Sequence, residues 1–151
     1  METKITSMKK TEAPIIVEQL YNASPDEVWA AITERDQMIQ WFFNNIPEFK
    51  AEVGFETQFM IEVEDRKFPH LWKVTEVIHG KKLTYQWRFG GYEGEGLSTF
   101  ELFEQDGKTG VKLIYDVIED FPDGIPEFVR ESGEQGWRYF IQESLKNYLN
   151  G

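Results

Sequence analysis

The chain has no cysteine, which excludes disulfides, thiol nucleophiles and thiolate metal sites. It has two histidines, His70 and His79. Their odd separation places them on opposite faces of an ideal strand, where they cannot share a metal. Basic residues are the minority, with 16 Lys and Arg against 27 Asp and Glu and a net charge of −11. The basic clusters Lys9-Lys10 and Lys81-Lys82 are too small to hold a phosphate backbone or an anionic bilayer, so neither nucleic acid nor membrane is expected as a partner. The acidity serves solubility, and it would also suit a basic protein partner. No apolar run approaches the length of a membrane span, and the opening residues lack the apolar core of a signal peptide. A soluble cytoplasmic protein is the expectation.

Catalytic motifs are also scarce. No Gly-x-Ser-x-Gly elbow occurs, and Ser98 falls mid-strand with no histidine beside it, so nucleophilic catalysis has no support. The glycine-rich stretch Gly91-Tyr92-Glu93-Gly94-Glu95-Gly96 is followed by a strand pattern, contains two glutamates and carries no P-loop lysine. It reads as a flexible hairpin loop that could gate a neighbouring cavity, and not as a phosphate cradle. No cofactor or metal is expected, and no pair of carboxylates has a spacing that marks an acid–base dyad.

What the chain does have is aromatic side chains, with twelve Phe, six Tyr and five Trp among 151 residues. Rings on this scale either fill a core or line a cavity. One domain over residues 1–151 is expected from the length, with residues 1–11 a polar, loose tail. Ile15 to Tyr21 reads as a strand. Ser24, Pro25 and Glu27 form a capping box at a helix start, and Val28, Trp29, Ala31 and Ile32 give that helix a buried face to about Arg35. Asp36 is placed to cap a second short helix through Met38, Ile39, Trp41 and Phe42, ending near Asn44-Asn45. From Gly54 onward, alternating runs separated by short polar turns read as an antiparallel meander. Phe55 to Val63, His70 to Ile78, Leu83 to Phe89, Ser98 to Leu102 and Val111 to Val117 are its strands. His70, Trp72, Val74 and Glu76 share one face. From Ile125 the apolar residues Phe128, Val129, Trp137, Phe140, Ile141, Leu145, Tyr148 and Leu149 recur at three and four, predicting a long helix over 125–149.

These landmarks stand in a telling order: Ser24-Pro25-x-x-Val28-Trp29-x-Ala31-Ile32, Trp41-Phe42, Gly54, Trp72-x-Val74-x-Glu76-Val77 and Leu83-x-Tyr85-x-Trp87. After them come Ser98-Thr99-Phe100-x-Leu102, Val111-x-Leu113 and Gly136-Trp137. Over residues 14 to 149 the chain resembles bacterial members of the family homologous to the C-terminal domain of the activator of heat-shock protein 90 ATPase. That family lies within the START and birch-pollen-allergen superfamily. The resemblance implies an α+β helix-grip fold: a curved antiparallel sheet of about six or seven strands wrapped around a long C-terminal helix, with two short helices after the first strand. The superfamily includes lipid carriers, receptors, cyclases and co-chaperones, so fold alone leaves the activity open.

Three functions follow as expectations. The first is binding of a small hydrophobic or amphipathic ligand between sheet and helix. Its expected liners are Trp41, Phe42, Phe59, His70, Trp72, Tyr85, Trp87, Phe100, Tyr115, Trp137 and Ile141. The second is a co-chaperone-like module acting on a heat-shock protein 90 ATPase. The third is a cyclase- or hydrolase-type enzyme, for which His70 is the only imidazole worth testing; otherwise a strand-end histidine belongs at the surface. Gly133 and Gly136 in the last helix either allow close backbone packing or leave volume for a ligand.

Overall fold

The computed structural model describes residues 5–150. Strand β1 (Ile15–Tyr21) is followed by helix α1 (Pro25–Thr33) and helix α2 (Arg35–Trp41). The meander then runs through β2 (Glu56–Val63), β3 (Arg66–Ile78), β4 (Lys82–Phe89), β5 (Glu95–Gln105) and β6 (Lys108–Glu119). All pairings are antiparallel and give one six-stranded sheet in the order β1-β6-β5-β4-β3-β2. The first strand thus closes onto the last, and β2 forms the opposite edge. This is the expected α+β helix-grip architecture.

The capping box at Ser24 forms in full. Its hydroxyl accepts from the Glu27 N–H, and the Glu27 carboxylate accepts from the Ser24 N–H. Two helix boundaries differ from expectation. Helix α2 starts after Glu34, so Asp36 lies inside its first turn and does not cap it. It also ends earlier, at Trp41, because Phe42 leaves helical geometry at φ −104°, ψ −122°.

The C-terminal helix starts at Arg130 and not at residue 125. Pro126–Phe128 form a separate 3₁₀ turn, and Val129 is extended at ψ 150°. Helix α3 (Arg130–Arg138) continues through a π-helical stretch, Tyr139–Ser144, into α4 (Leu145–Asn150). Its buried stripe is Trp137, Ile141 and Leu145, a spacing of four. The Tyr21 hydroxyl donates to the Ile141 carbonyl at 2.7 Å, tying the wide π turn to β1. Such turns free backbone groups from the ordinary ladder.

A bulge in β3 corrects the face assigned to Glu76. Val74 pairs with Tyr85 but Glu76 pairs with Thr84, so one extra residue flips the alternation. Glu76 is therefore exposed and pairs with Lys82 at 2.7 Å.

The expected loose tail is corrected for residues 5–11; residues 1–4 lie outside the described residues. Met8 is 6% exposed, and its N–H donates to the Phe128 carbonyl while its own carbonyl accepts from Phe121 N–H. The Ser7 N–H and the Lys9 ammonium both reach the Asp123 carboxylate, at 2.9 and 2.8 Å. Those donors hold the Asp123 carboxyl down at about 2. The segment looked loose because its sequence is polar, but those polar groups are the ones that bind the loop leading into α3.

Candidate functional site

A cavity of about 220 Å³ opens between the sheet and α3. Its sheet side comes from inward positions of four strands: Ile61 and Val63 of β2, Phe68 and His70 of β3, Trp87 and Phe89 of β4, and Tyr115 of β6. The helix side is Ser132, Gly133, Gly136, Trp137 and Phe140, with Glu127 and Phe128 of the 3₁₀ turn. Met8 and Phe43 complete the wall.

The two helix glycines divide the roles foreseen for them. A methyl group on Gly133 would stand 3.3 Å from both Ile15 Cδ1 and Met8 Sδ, so this glycine permits close packing. A methyl group on Gly136 would meet no atom of the described residues within 4 Å, apart from its chain neighbours and its own helix backbone. Gly136 leaves open volume beside Trp137, at a helix position where glycine costs about 1 kcal/mol relative to alanine. The glycine-rich stretch that leads into β5 also serves packing: Gly96, inside the strand, has the Tyr115 ring directly over its Cα, and Gly94 has Phe121. A side chain at Gly96 would push Tyr115 off the cavity wall.

Of the residues expected to line the cavity, His70, Trp87, Tyr115 and Trp137 border it. The other seven do not. Trp41, Phe42, Phe59, Trp72, Tyr85, Phe100 and Ile141 are buried and form the packed layer around it. Phe42 stacks on Trp41 at 4.8 Å, and Trp72 packs tilted against Tyr85 at 4.8 Å; Trp41 Nε1 donates to the Ala31 carbonyl at 2.8 Å. Phe43 takes the place expected of Phe42, since the chain leaves α2 at Phe42. Ile61, Val63 and Phe89 were legible as inward strand positions, whereas Met8 and Phe128 lie in irregular segments that periodicity cannot assign.

His70 is 5% exposed, contrary to the surface position expected of a strand-end histidine. Strand β3 begins at Arg66 and extends past it, so His70 is well inside the strand. Phe59 stacks on its ring at 5.1 Å, and Phe43, Trp87 and Phe89 contact it edge-on. Nδ1 lies 2.9 Å from the Phe68 carbonyl. A carbonyl only accepts, so Nδ1 carries the proton and Nε2 is left with its lone pair. Burial pushes the imidazole pKa down to about 4, the Phe68 hydrogen bond opposing this in part. The ring is neutral at pH 7. His79 lies in the exposed turn after β3, edge-on to Trp29 at 5.6 Å.

This depression makes stability depend on pH. Between about pH 6.5 and 4 the unfolded chain binds a proton at His70 that the folded chain refuses, so stability falls as pH falls through that window. From pH 7 to 4.5 the loss from this group is about 2–3 kcal/mol. Urea unfolding at both pH values, on the wild type and on His70→Leu, measures it as the difference in slope. Equal slopes would contradict a buried neutral imidazole.

Charge at the cavity is confined to its rim. Glu127 is its one charged liner among the described residues, and both its oxygens accept from Arg66, from Nε and Nη2, at 2.8 Å each. That pairing lowers the Glu127 pKa and raises that of Arg66. Burial pushes the Tyr115 hydroxyl up, so it stays protonated. Trp87 Nε1 and, on the sheet beside the cavity, Trp72 Nε1, Tyr85 Oη and Ser98 Oγ are buried without a hydrogen-bond partner among the described residues.

The family model described as "Activator of Hsp90 ATPase homolog 1-like protein" matches residues 22–150. No curated protein matches the chain. Among solved structures, the Mll3558 protein from Rhizobium loti superposes with a TM-score of 0.77 at 18% identity, covering 98% of this chain and 100% of that one. The Aha1 dimer from Colwellia psychrerythraea gives 0.69 at 21% identity, over 92% and 97% of the two chains. DynU16, described as a protein of the dynemicin biosynthetic locus, gives 0.70 at 22% identity over 91% of this chain; the match spans 47% of DynU16. These likenesses establish a shared fold. Among the described residues, no helix is long and apolar enough to cross a membrane.

Proposed function

The chain belongs to the Activator of Hsp90 ATPase homolog 1-like family, and on that footing we propose that it binds one small hydrophobic or amphipathic molecule between its sheet and its C-terminal helix. The observation that carries this reading is the open space at Gly136 within a cavity of about 220 Å³. A purely structural core would gain from a side chain there, both in helix propensity and in packing. The lining is mostly aromatic and aliphatic with a few polar atoms, the usual make-up of a small-molecule site. An apolar cavity of about 150 Å³ accepts benzene, so this one has room for roughly a second fused ring.

Trp87 and Trp137 both stand at the wall, so intrinsic fluorescence reports occupancy directly. Titration with naphthalene should give a saturable, one-to-one change with Kd of about 10–100 µM, which is ordinary for a ligand of that size. A change that never saturates would sink the proposal.

A second reading draws on the family's description and the net charge of −11: contact with a heat-shock protein 90 chaperone. An unchanged ATPase rate of that chaperone at saturating protein would end it. An acid–base role for His70 has less support, because an imidazole with pKa near 4 is a weak base at neutral pH.

A further inference from the structure

The polar groups of the cavity bear on what its occupant carries. We infer that the site selects an uncharged ring compound bearing a hydroxyl group, a phenol or an alcohol, over a carboxylate or an ammonium ion. This rests on the binding proposal above and specifies its ligand.

The first argument is the acceptor at the wall. His70 is 5% exposed, its Nδ1–H is committed to the Phe68 carbonyl, and Nε2 has no protein donor among the described residues. An unpaired acceptor on an otherwise apolar wall gives a ligand O–H a partner there. Tyr115 is also at the wall, and its hydroxyl makes no hydrogen bond among the described residues, so it offers a second donor or acceptor.

The second argument is charge. A carboxylate entering this space leaves water and needs a cation to compensate. Among the described residues, no Lys or Arg lines the cavity. The guanidinium of Arg66, beside the lining residue Glu127, already holds both Glu127 oxygens at 2.8 Å. The same pair disfavours an ammonium ion, because the one carboxylate at the rim is neutralised. Aromatic walls alone offer a cation less than its hydration does. Fatty acids and other anionic lipids are therefore poor candidates for this site.

The experiment compares five probes of one ring size at pH 7 on the intact protein: naphthalene, 2-naphthol, 2-methoxynaphthalene, 2-naphthoate and 2-naphthylmethylammonium. Naphthol should bind about tenfold more tightly than the methoxy compound, the worth of one hydrogen bond. Naphthoate and the ammonium should bind at least tenfold more weakly than naphthol. His70→Phe should erase the preference for naphthol over its ether while naphthalene still binds. In the unaltered protein, the pyridine-type ¹⁵N resonance of His70 Nε2 should move upfield with naphthol and stay in place with the ether, a readout that needs no variant.

Equal affinities for naphthol and its ether, a static Nε2 resonance, or preferred binding of either ion would overturn the inference while leaving the binding proposal standing. Failure of naphthalene and every other probe to bind would overturn the binding proposal itself.

Discussion

Replacing Trp137 with alanine is expected to lower stability by about 3 kcal/mol, the low end of the range for buried tryptophan truncation. The side chain is 6% exposed. Its ring contacts Phe42, Trp87, Phe100, Tyr115 and Phe140 at centroid distances from 5.4 to 6.3 Å. It is the central contact between α3 and the strands. The loss stays at the low end because the side chain already borders the cavity and forfeits fewer partners on removal. Trp72, 2% exposed and enclosed on all sides by rings, is the control: Trp72→Ala should cost more, about 4–5 kcal/mol. Urea unfolding monitored by far-ultraviolet circular dichroism measures both. The Trp137→Ala cavity should also admit a three-ring probe that the wild type refuses. A loss under 1 kcal/mol would mean that α3 does not sit on the sheet as described.

The second large effect concerns Gly136, on binding instead of stability. Gly136→Ala should raise stability by about 1 kcal/mol through helix propensity alone, since its methyl group meets nothing. Gly136→Leu puts a longer side chain into the same space. It should leave stability at or above that of the wild type and weaken naphthalene binding at least a hundredfold. Thermal unfolding and fluorescence titration on the same samples separate the two outcomes. A stable Gly136→Leu that binds like the wild type would place the ligand elsewhere. Loss of stability in Gly136→Ala would show that the backbone packs tightly there after all.

How much of this was legible in the sequence depends on which interactions fixed each part. Where local chemistry decides, at the Ser24 capping box and along the alternating strands, the sequence carried the answer. The six-stranded sheet and the stripe of Trp137, Ile141 and Leu145 follow from periodicities of two and nearly four. What escaped was decided by long-range contacts or by single backbone departures. One inserted residue in β3 sent Glu76 to solvent, and no side-chain pattern announces a bulge. Phe42 leaving helical geometry handed the cavity to Phe43. The segment around Met8 carries no apolar period, yet its backbone bonds to Phe121 and Phe128 make it a wall. The distinction between a ring that lines a cavity and one that packs behind it depends on a few ångströms of depth. Hence seven of the expected liners sit one layer away from the space, whereas Gly136, recognisable as a costly glycine on an apolar helix face, marks the space itself.

The most direct test of the central claim is where a bound probe sits. With ¹³C-labelled protein and unlabelled naphthalene, intermolecular nuclear Overhauser effects should run from the probe to the methyl groups of Met8, Ile61 and Val63, which line the cavity. They should be absent at Ile16 and Val53, exposed apolar side chains outside that lining. Contacts confined to those surface residues, with none to Met8, Ile61 or Val63, would contradict the account.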